Sequence, residues 1–237
     1  MVQRNSSTVI FEQRARRADA LARLYSQSAE ILTFYSGLAG WQSEVCVADL
    51  EGLREFLPSL LDLIGRSAPA PLADAARSLG PCDFNRIVSS YWTSSGDFCA
   101  LQFFARALLQ PYAANLPAGT DCPWCCGSPQ AGCLLPQADG LAFEIVCALC
   151  LRRHAFPRTK CPRCHEATES RVSNFMTPNF PHLRLQACET CKGYLQVVDL
   201  SRDPAAIPEV DELAGLPLDL WAHEQGYHKL QRNLAGI

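Results

Sequence analysis

The chain contains four Cys-x-x-Cys pairs within one short stretch: Cys122/Cys125, Cys147/Cys150, Cys161/Cys164 and Cys188/Cys191. A turn of this kind can direct two thiolates at one cation, and two such turns complete a tetrahedral site of four sulfurs. Zinc and iron both accept this ligand set, so the spacing predicts two metal ions without choosing between them.

These cysteines form an internal repeat. The first and third pairs both read Cys-Pro-x-Cys, and each is followed by a predicted strand, residues 141–146 or 183–187, that leads into the next pair. The repeat favours two sequential sites, although a cross-braced arrangement (first pair with third, second with fourth) is the alternative. The predicted ligands are Cys122, Cys125, Cys147 and Cys150 in site 1, and Cys161, Cys164, Cys188 and Cys191 in site 2.

Some potential ligands are ambiguous. Cys126 stands where a metal-binding turn usually has glycine, so the second ligand of the first pair could be Cys125 or Cys126. His154 and His165 are near the cysteines but at no convincing ligand spacing. A thioredoxin-like dithiol fits four tandem pairs poorly. The remaining thiols are predicted to be small buried apolar residues; they are Cys46, Cys82, Cys99, Cys126 and Cys133.

Composition limits the class of protein. The N-terminal residues have no apolar signal-peptide core, and no stretch of the chain has the apolar length of a membrane span. We therefore expect a cytoplasmic protein without membrane insertion, in which thirteen cysteines serve metal binding rather than disulfides. The net charge of −3 does not favour nucleic acid. The basic run at residues 152–163 could bind an acidic peptide or a nucleic-acid backbone, but a solvated rim is favoured.

The pattern of apolar residues predicts an α+β fold. Spacings of three and four run through residues 11–116, which indicates a helical domain (1–118) with shorter helices at 49–64 and 72–79. One predicted face contains Leu21, Leu24, Tyr25, Leu32, Tyr35 and Leu38, and another contains Phe98, Leu101, Ala105, Leu108 and Tyr112.

The aromatics Trp41, Trp92, Phe103 and Phe104 are predicted to be core rather than a ligand groove. Beyond the helical domain, we predict four-cysteine lobes at 119–158 and 159–203. A C-terminal helical tail is predicted at 204–237, with a break near Pro217.

An ordered series of segments resembles the formate dehydrogenase formation (accessory) protein family, of the FdhE type. Its most diagnostic part is Cys188-Glu-Thr-Cys-Lys-Gly-Tyr-Leu195; the other segments are residues 122–129, 158–164, 211–213, 218–220, 226–227, 11–17 and 32–42. The chain departs from that family in being shorter, in Cys126 and His165, and in Arg152-Arg153-His154, where an acidic residue and tryptophan are usual.

The resemblance implies a helical domain followed by two tandem rubredoxin-like (zinc-ribbon-like) lobes. It implies iron in the four-cysteine sites, with zinc possible. It further implies a cytoplasmic, non-enzymatic accessory protein that is needed for active formate dehydrogenase and binds the catalytic subunit of that enzyme. The alternatives are a rubredoxin-like electron-transfer protein and a zinc-ribbon nucleic-acid binder.

Overall fold

The computed structural model describes residues 6–47, 49–93, 100–117, 122, 125 and 127–234. Six helices come first: α1 (Ser6–Leu24), α2 (Ala29–Glu44), α3 (Leu57–Ser67), α4 (Ala70–Ser78), α5 (Phe84–Thr93) and α6 (Ala100–Asn115). They are connected in part by short 3₁₀ helices at Ser26–Ser28, Glu51–Phe56 and Pro81–Asp83. A sheet with two four-cysteine clusters and two further helices follow, which confirms the predicted α+β architecture.

The first two helices pack through the predicted apolar face, with one exception. Ala18 and Leu21 of α1 are buried, and so are Leu32 and Leu38 of α2. Leu24 was predicted on the same face, but it is 72% exposed. Helix α1 ends at this residue and a 3₁₀ turn redirects the chain, so the helical periodicity does not continue through it.

The other helices complete one apolar layer. The segment predicted as a helix at 49–64 begins as a 3₁₀ helix and becomes α-helical only at Leu57. Phe103 and Phe104 of α6 are fully buried and Trp41 is 9% exposed, as expected of core aromatics. Trp92, in contrast, is 52% exposed at the surface. Phe98 lies outside the described residues.

Seven strands form one mixed sheet. They are β1 (Pro129–Gln137), β2 (Gly140–Cys147), β3 (Arg153–Ala155), β4 (Val172–Met176), β5 (Leu183–Cys188), β6 (Gly193–Asp199) and β7 (His228–Lys229). Their order is β3-β2-β1-β6-β5-β4, with β7 also paired to β6. The central pair, β1 and β6, is parallel, with Gly132 opposite Val197. This pair joins both four-cysteine units into one sheet.

A small core on one face of the sheet depends on Gly132. A Cβ atom at this position would lie 2.8 Å from the ring of Phe143 and 3.1 Å from Leu195. The glycine therefore lets the ring of Phe143 approach β1 closely and pack in one cluster with Ile145, Leu195 and Val197.

The C-terminal segment forms two helices, α7 (Pro208–Ala214) and α8 (Leu216–Glu224). The helix breaks at Gly215, near Pro217 as predicted. Pro217 itself lies in the first turn of α8, where its missing N–H needs no partner. Gly215 is required here, since a Cβ atom would lie 2.1 Å from the Gln196 side chain.

Helix α7 lies between the helical layer and the sheet. All seven of its residues are buried, although three of them are acidic. Each acid has a cationic partner: Glu209 pairs with Arg14, Asp211 with Arg17, and Glu212 with Lys229. Two of these partners come from α1, almost two hundred positions earlier in the chain, so α7 fixes the helical layer onto the sheet.

The predicted domain boundaries stay predictions. The boundary between residues 118 and 119 falls outside the described residues. None of the helices in the described part of the chain combines the length and the apolar composition that crossing a bilayer requires.

Candidate metal centres

Site 1 lies where the sheet meets the helical layer. Cys147 ends β2, Cys150 follows in the next turn, and Cys122 and Cys125 come from the segment after α6. The four sulfurs all lie within 4.8 Å of one another. The Cys122 sulfur is 3.5 Å from that of Cys125 and 3.3 Å from that of Cys150.

Helical side chains hold site 1 in place. Gln110 of α6 donates a hydrogen bond to the carbonyl of Ala148, between Cys147 and Cys150, at 2.8 Å. The hydroxyl of Tyr91 donates to the carbonyl of Cys125 at 3.3 Å. Arg152, just after the second pair, donates to the carbonyls of Leu116 and Pro117. Site 1 is thus part of the helical core.

Site 2 lies at the same end of the strands as site 1, but on the other side of the central pair β1 and β6. Cys188 ends β5, Cys191 precedes β6, and Cys161 and Cys164 belong to the loop before β4. Their sulfurs also lie within 4.8 Å of one another. Cys161 is 3.7 Å from Cys191, and Cys164 is 3.6 Å from Cys188. The structure therefore groups the cysteines sequentially, not in the cross-braced arrangement.

The sulfur positions fit a metal ion. A metal–sulfur distance of about 2.3 Å places the sulfurs of a tetrahedron about 3.8 Å apart. The closest separations in both clusters are 3.3 to 3.7 Å. Backbone N–H groups also point at sulfur, from Leu149 to Cys147 and from Gly193 to Cys191, each at 3.4 Å. Both clusters could hold a metal ion, while ligation by these eight residues stays a prediction.

The thiols of each cluster influence one another electrostatically. Burial raises the pKa of Cys125 to about 12, and the sulfurs of Cys122 and Cys150 act in the same direction. Burial likewise raises the pKa of Cys191 to about 12. The pKa of Cys150 is lowered to about 4 because the Cys147 thiol hydrogen-bonds to it. Four crowded thiols can ionise together only if a cation neutralises them.

Three of the cysteine turns contain a left-handed residue directly after the second cysteine. These are Leu151 (φ 61°), His165 (φ 62°) and Lys192 (φ 56°). This backbone conformation favours glycine, which explains why glycine is usual there. In the first pair Cys125 itself has φ 48° and contributes the clustered sulfur, while Cys126 lies outside the described residues.

The histidines and the remaining cysteines considered in the sequence analysis lie outside the two sulfur clusters of the described residues. Neither His154 nor His165 belongs to a four-sulfur cluster in the described part of the chain. Cys133 is buried as predicted, but the prediction is wrong for Cys46 and Cys82, which are exposed. An isolated thiol carries no local signal that distinguishes a loop from a core position. Cys99 lies outside the described residues.

A third group of potential ligands, which the sequence did not indicate, contains His182, Asp203 and Asp211. Arg17 lies among them and donates hydrogen bonds to both carboxylates. His182 Nε2 is 3.0 Å from Asp211 Oδ1. The guanidinium therefore supplies the positive charge that a metal ion would otherwise provide, and this group is a structural ion pair.

The basic run does not form one continuous surface. Arg153, Arg158 and Arg163 are exposed, whereas Arg152 binds the C-terminal end of the helical layer. This arrangement agrees with the solvated rim that the sequence favoured.

Comparison with known proteins finds similarity to one family. A family model described as the C-terminal domain of FdhE matches residues 159–235, which contain site 2, α7 and α8. A protein of Aquifex aeolicus (strain VF5), named Protein FdhE homolog, is 27% identical over 203 residues, which cover 79% of this chain and 71% of the relative. A protein of the same name from Pseudomonas putida is 30% identical over 203 residues. The chain is therefore similar to FdhE proteins over most of its length.

A solved FdhE structure has the same fold. The crystal structure of the FdhE protein from Pseudomonas aeruginosa superposes with a TM-score of 0.70, covering 98% of this chain and 96% of that chain at 24% identity. The sequence match to the Pseudomonas putida FdhE homologue covers 76% of this chain but 63% of the relative, so the chain spans less than two thirds of that protein.

Proposed function

We propose that this chain belongs to the FdhE family and is a non-enzymatic accessory protein for formate dehydrogenase. In this proposal it binds the catalytic subunit of that enzyme in the cytoplasm and assists the assembly of the active form. The observation that carries the proposal is the family match over residues 159–235, which include the four cysteines of site 2 and the buried helix α7.

The proposal includes two metal ions. Site 1 would use Cys122, Cys125, Cys147 and Cys150, and site 2 would use Cys161, Cys164, Cys188 and Cys191. Support comes from the two clusters of four sulfurs within 4.8 Å. Iron is favoured by the resemblance to the family, and zinc satisfies the same ligand set. A four-thiolate site of either kind would chiefly fold its surroundings.

The buried acids of α7 and the neighbouring His182 are consistent with a non-enzymatic role. The acids of α7 are engaged in ion pairs with Arg14, Arg17 and Lys229. Among the described residues, His182 is hydrogen-bonded to Asp211, which Arg17 also binds. These groups stabilise the fold and are not free to exchange protons with a substrate.

Deletion of the gene in its native host tests the proposal. We expect the deletion strain to lose formate-dependent dye reduction while an immunoblot still detects the dehydrogenase polypeptide. The wild-type gene should restore activity, and the affinity-tagged chain should co-purify with the catalytic subunit. Normal formate oxidation in the deletion strain would refute the accessory role.

Cysteine variants refine this experiment. The double variant Cys161→Ser/Cys188→Ser removes two ligands of site 2 and should fail to restore activity. Cys82→Ser is a matched control, because Cys82 is an exposed thiol outside both clusters. It should restore activity fully. Equal complementation by both variants would show that site 2 is dispensable.

A rubredoxin-like electron carrier is the second candidate. The exposure of Cys164 at site 2 favours it, since an accessible ligand gives electrons a short path to a partner. Protein purified under anaerobic conditions would then show a reversible iron–thiolate absorption change. A colourless zinc protein would exclude this candidate.

A further inference from the structure

The two four-sulfur sites differ in their access to solvent. In site 1, Cys122 and Cys150 are each 4% exposed, Cys147 is fully buried and Cys125 is half-buried. In site 2, Cys164 is exposed and Cys191 is half-buried, while Cys161 and Cys188 are buried. Site 2 therefore has one exposed ligand, Cys164, whereas none of the four ligands of site 1 is exposed.

The surroundings of site 1 resist opening. Cys122, Cys147 and Cys150 belong to the same apolar core as the helical layer. The buried Gln42 donates to Gln110 at 3.0 Å, and Gln110 donates in turn to the turn between Cys147 and Cys150. Exposing these sulfurs would require separation of the helical layer from the sheet, which approaches global unfolding.

The contacts around site 2 are weaker. Thr190 donates to Glu166 at 2.7 Å, and Lys192 pairs with Glu189 at 2.6 Å, in each case near the surface. Exposed pairs of this kind contribute little to stability. The neighbours of Cys164 in sequence, Arg163 and His165, are themselves exposed. Opening of this loop would expose one ligand and leave the helical layer intact.

We infer that site 2 is the exchange-labile metal site of this protein and that its ion leaves from the Cys164 side, whereas site 1 retains its ion. The inference rests on the proposed function in that both clusters must bind metal. Loss of the ion from site 2 is a ligand substitution. A nitrogen or sulfur donor of an incoming chelator bonds to the ion as the bond from Cys164 Sγ breaks, and the released thiolate takes a proton from water without any transfer of electrons.

Metal release from the full chain tests the inference. The protein is loaded anaerobically with Zn²⁺, and 4-(2-pyridylazo)resorcinol is added while zinc release is followed by absorbance. We expect two phases of one equivalent each, with the first about tenfold or more faster than the second, because local opening exposes only site 2. Native mass spectrometry should show a one-zinc species after the first phase.

Alkylation with iodoacetamide identifies the site that has been emptied. After the first phase, peptide mass spectrometry should find label on the four cysteines of site 2 and protection of all four cysteines of site 1. Release of both ions at one rate, or labelling of site 1 first, would overturn the inference. So would a loaded protein that holds a single ion. A protein that binds no zinc would also refute the proposed metal sites, while the deletion strain tests the accessory role independently.

A pair of threonine variants locates the opening. Thr190→Val removes the hydrogen bond to Glu166 beside site 2 and should accelerate the first phase several-fold, leaving the second unchanged. Thr33→Val is the matched control, since Thr33 is exposed and its hydroxyl donates within its own helix, to the carbonyl of Ala29. Equal release rates in both variants would contradict opening at the Cys164 side.

Discussion

Replacement of Lys229 by methionine should strongly destabilise the fold. The Lys229 ammonium lies 2.9 Å from Glu212 Oε2 and 2.9 Å from Asp219 Oδ2. The three side chains are 4%, 0% and 2% exposed. Methionine fills a similar volume but leaves two carboxylates in the protein interior without their cation.

The magnitude follows from burial. Removal of one member of a buried, hydrogen-bonded ion pair costs about 3 to 5 kcal/mol. The exposed pair of Lys192 and Glu189, whose side chains are 48% and 34% exposed, provides the matched control. Lys192→Met should cost at most about 1 kcal/mol. Urea denaturation followed by circular dichroism measures both free energies of unfolding.

The loss of stability in the Lys229→Met variant should also depend on pH. Burial raises the pKa of Glu212 above its ordinary value of 4.5, and the charge of Lys229 opposes this rise. Loss of Lys229 therefore raises the pKa further. A carboxyl with a raised folded-state pKa lowers stability as pH increases from its ordinary pKa through the folded value. The Lys229→Met variant should thus be closer to the wild type at pH 5 than at pH 8.

Two results would refute this reasoning. One is a Lys229→Met variant no less stable than Lys192→Met, and the other is a deficit that is the same at pH 5 and pH 8. The triple variant Lys229→Met/Glu212→Gln/Asp219→Asn removes the uncompensated charges and should recover most of the lost stability.

Three further predictions concern single positions. Burial alone would raise the pKa of Asp199, but hydrogen bonds from Ser201 help to lower it below its ordinary value. The stability that the Asp199 carboxylate contributes is therefore lost as pH falls. Asp199→Asn should flatten the acid side of a plot of melting temperature against pH. His165→Gly should stabilise the metal-loaded protein by about 0.5 to 1 kcal/mol in chemical denaturation, because φ there is 62°. Ile145→Ala should cost about 2 to 5 kcal/mol by the same assay, since Ile145 is fully buried, whereas Leu141→Ala on the same strand should cost far less.

Local features of this protein could be predicted from the sequence. The strands that deliver the cysteine pairs and the helices of the first half have a clear periodicity of two or of three to four. The repeat of Cys-Pro-x-Cys also indicated which pairs of turns would meet. These predictions succeeded because each depends on residues that are close together in the chain.

Long-range features could not be predicted in the same way. Glu209, Asp211 and Glu212 have the pattern of an exposed helix face, and nothing near them in the sequence indicates burial. They are buried because Arg14 and Arg17 reach them from α1. The parallel pairing of β1 with β6 was hidden for the same reason, because two apolar strands do not specify their neighbours.

The position of α7 in the chain bears on the order of events during synthesis. The ribosome makes Arg14 and Arg17 early, but the acids that neutralise them are made only after all six helices of the first layer and strands β1 to β6. Until residues 208–214 emerge, Arg14 lacks Glu209, Arg17 lacks Asp211, and the apolar surface that α7 covers is open. The nascent chain therefore cannot acquire its full stability until α7 has been synthesised.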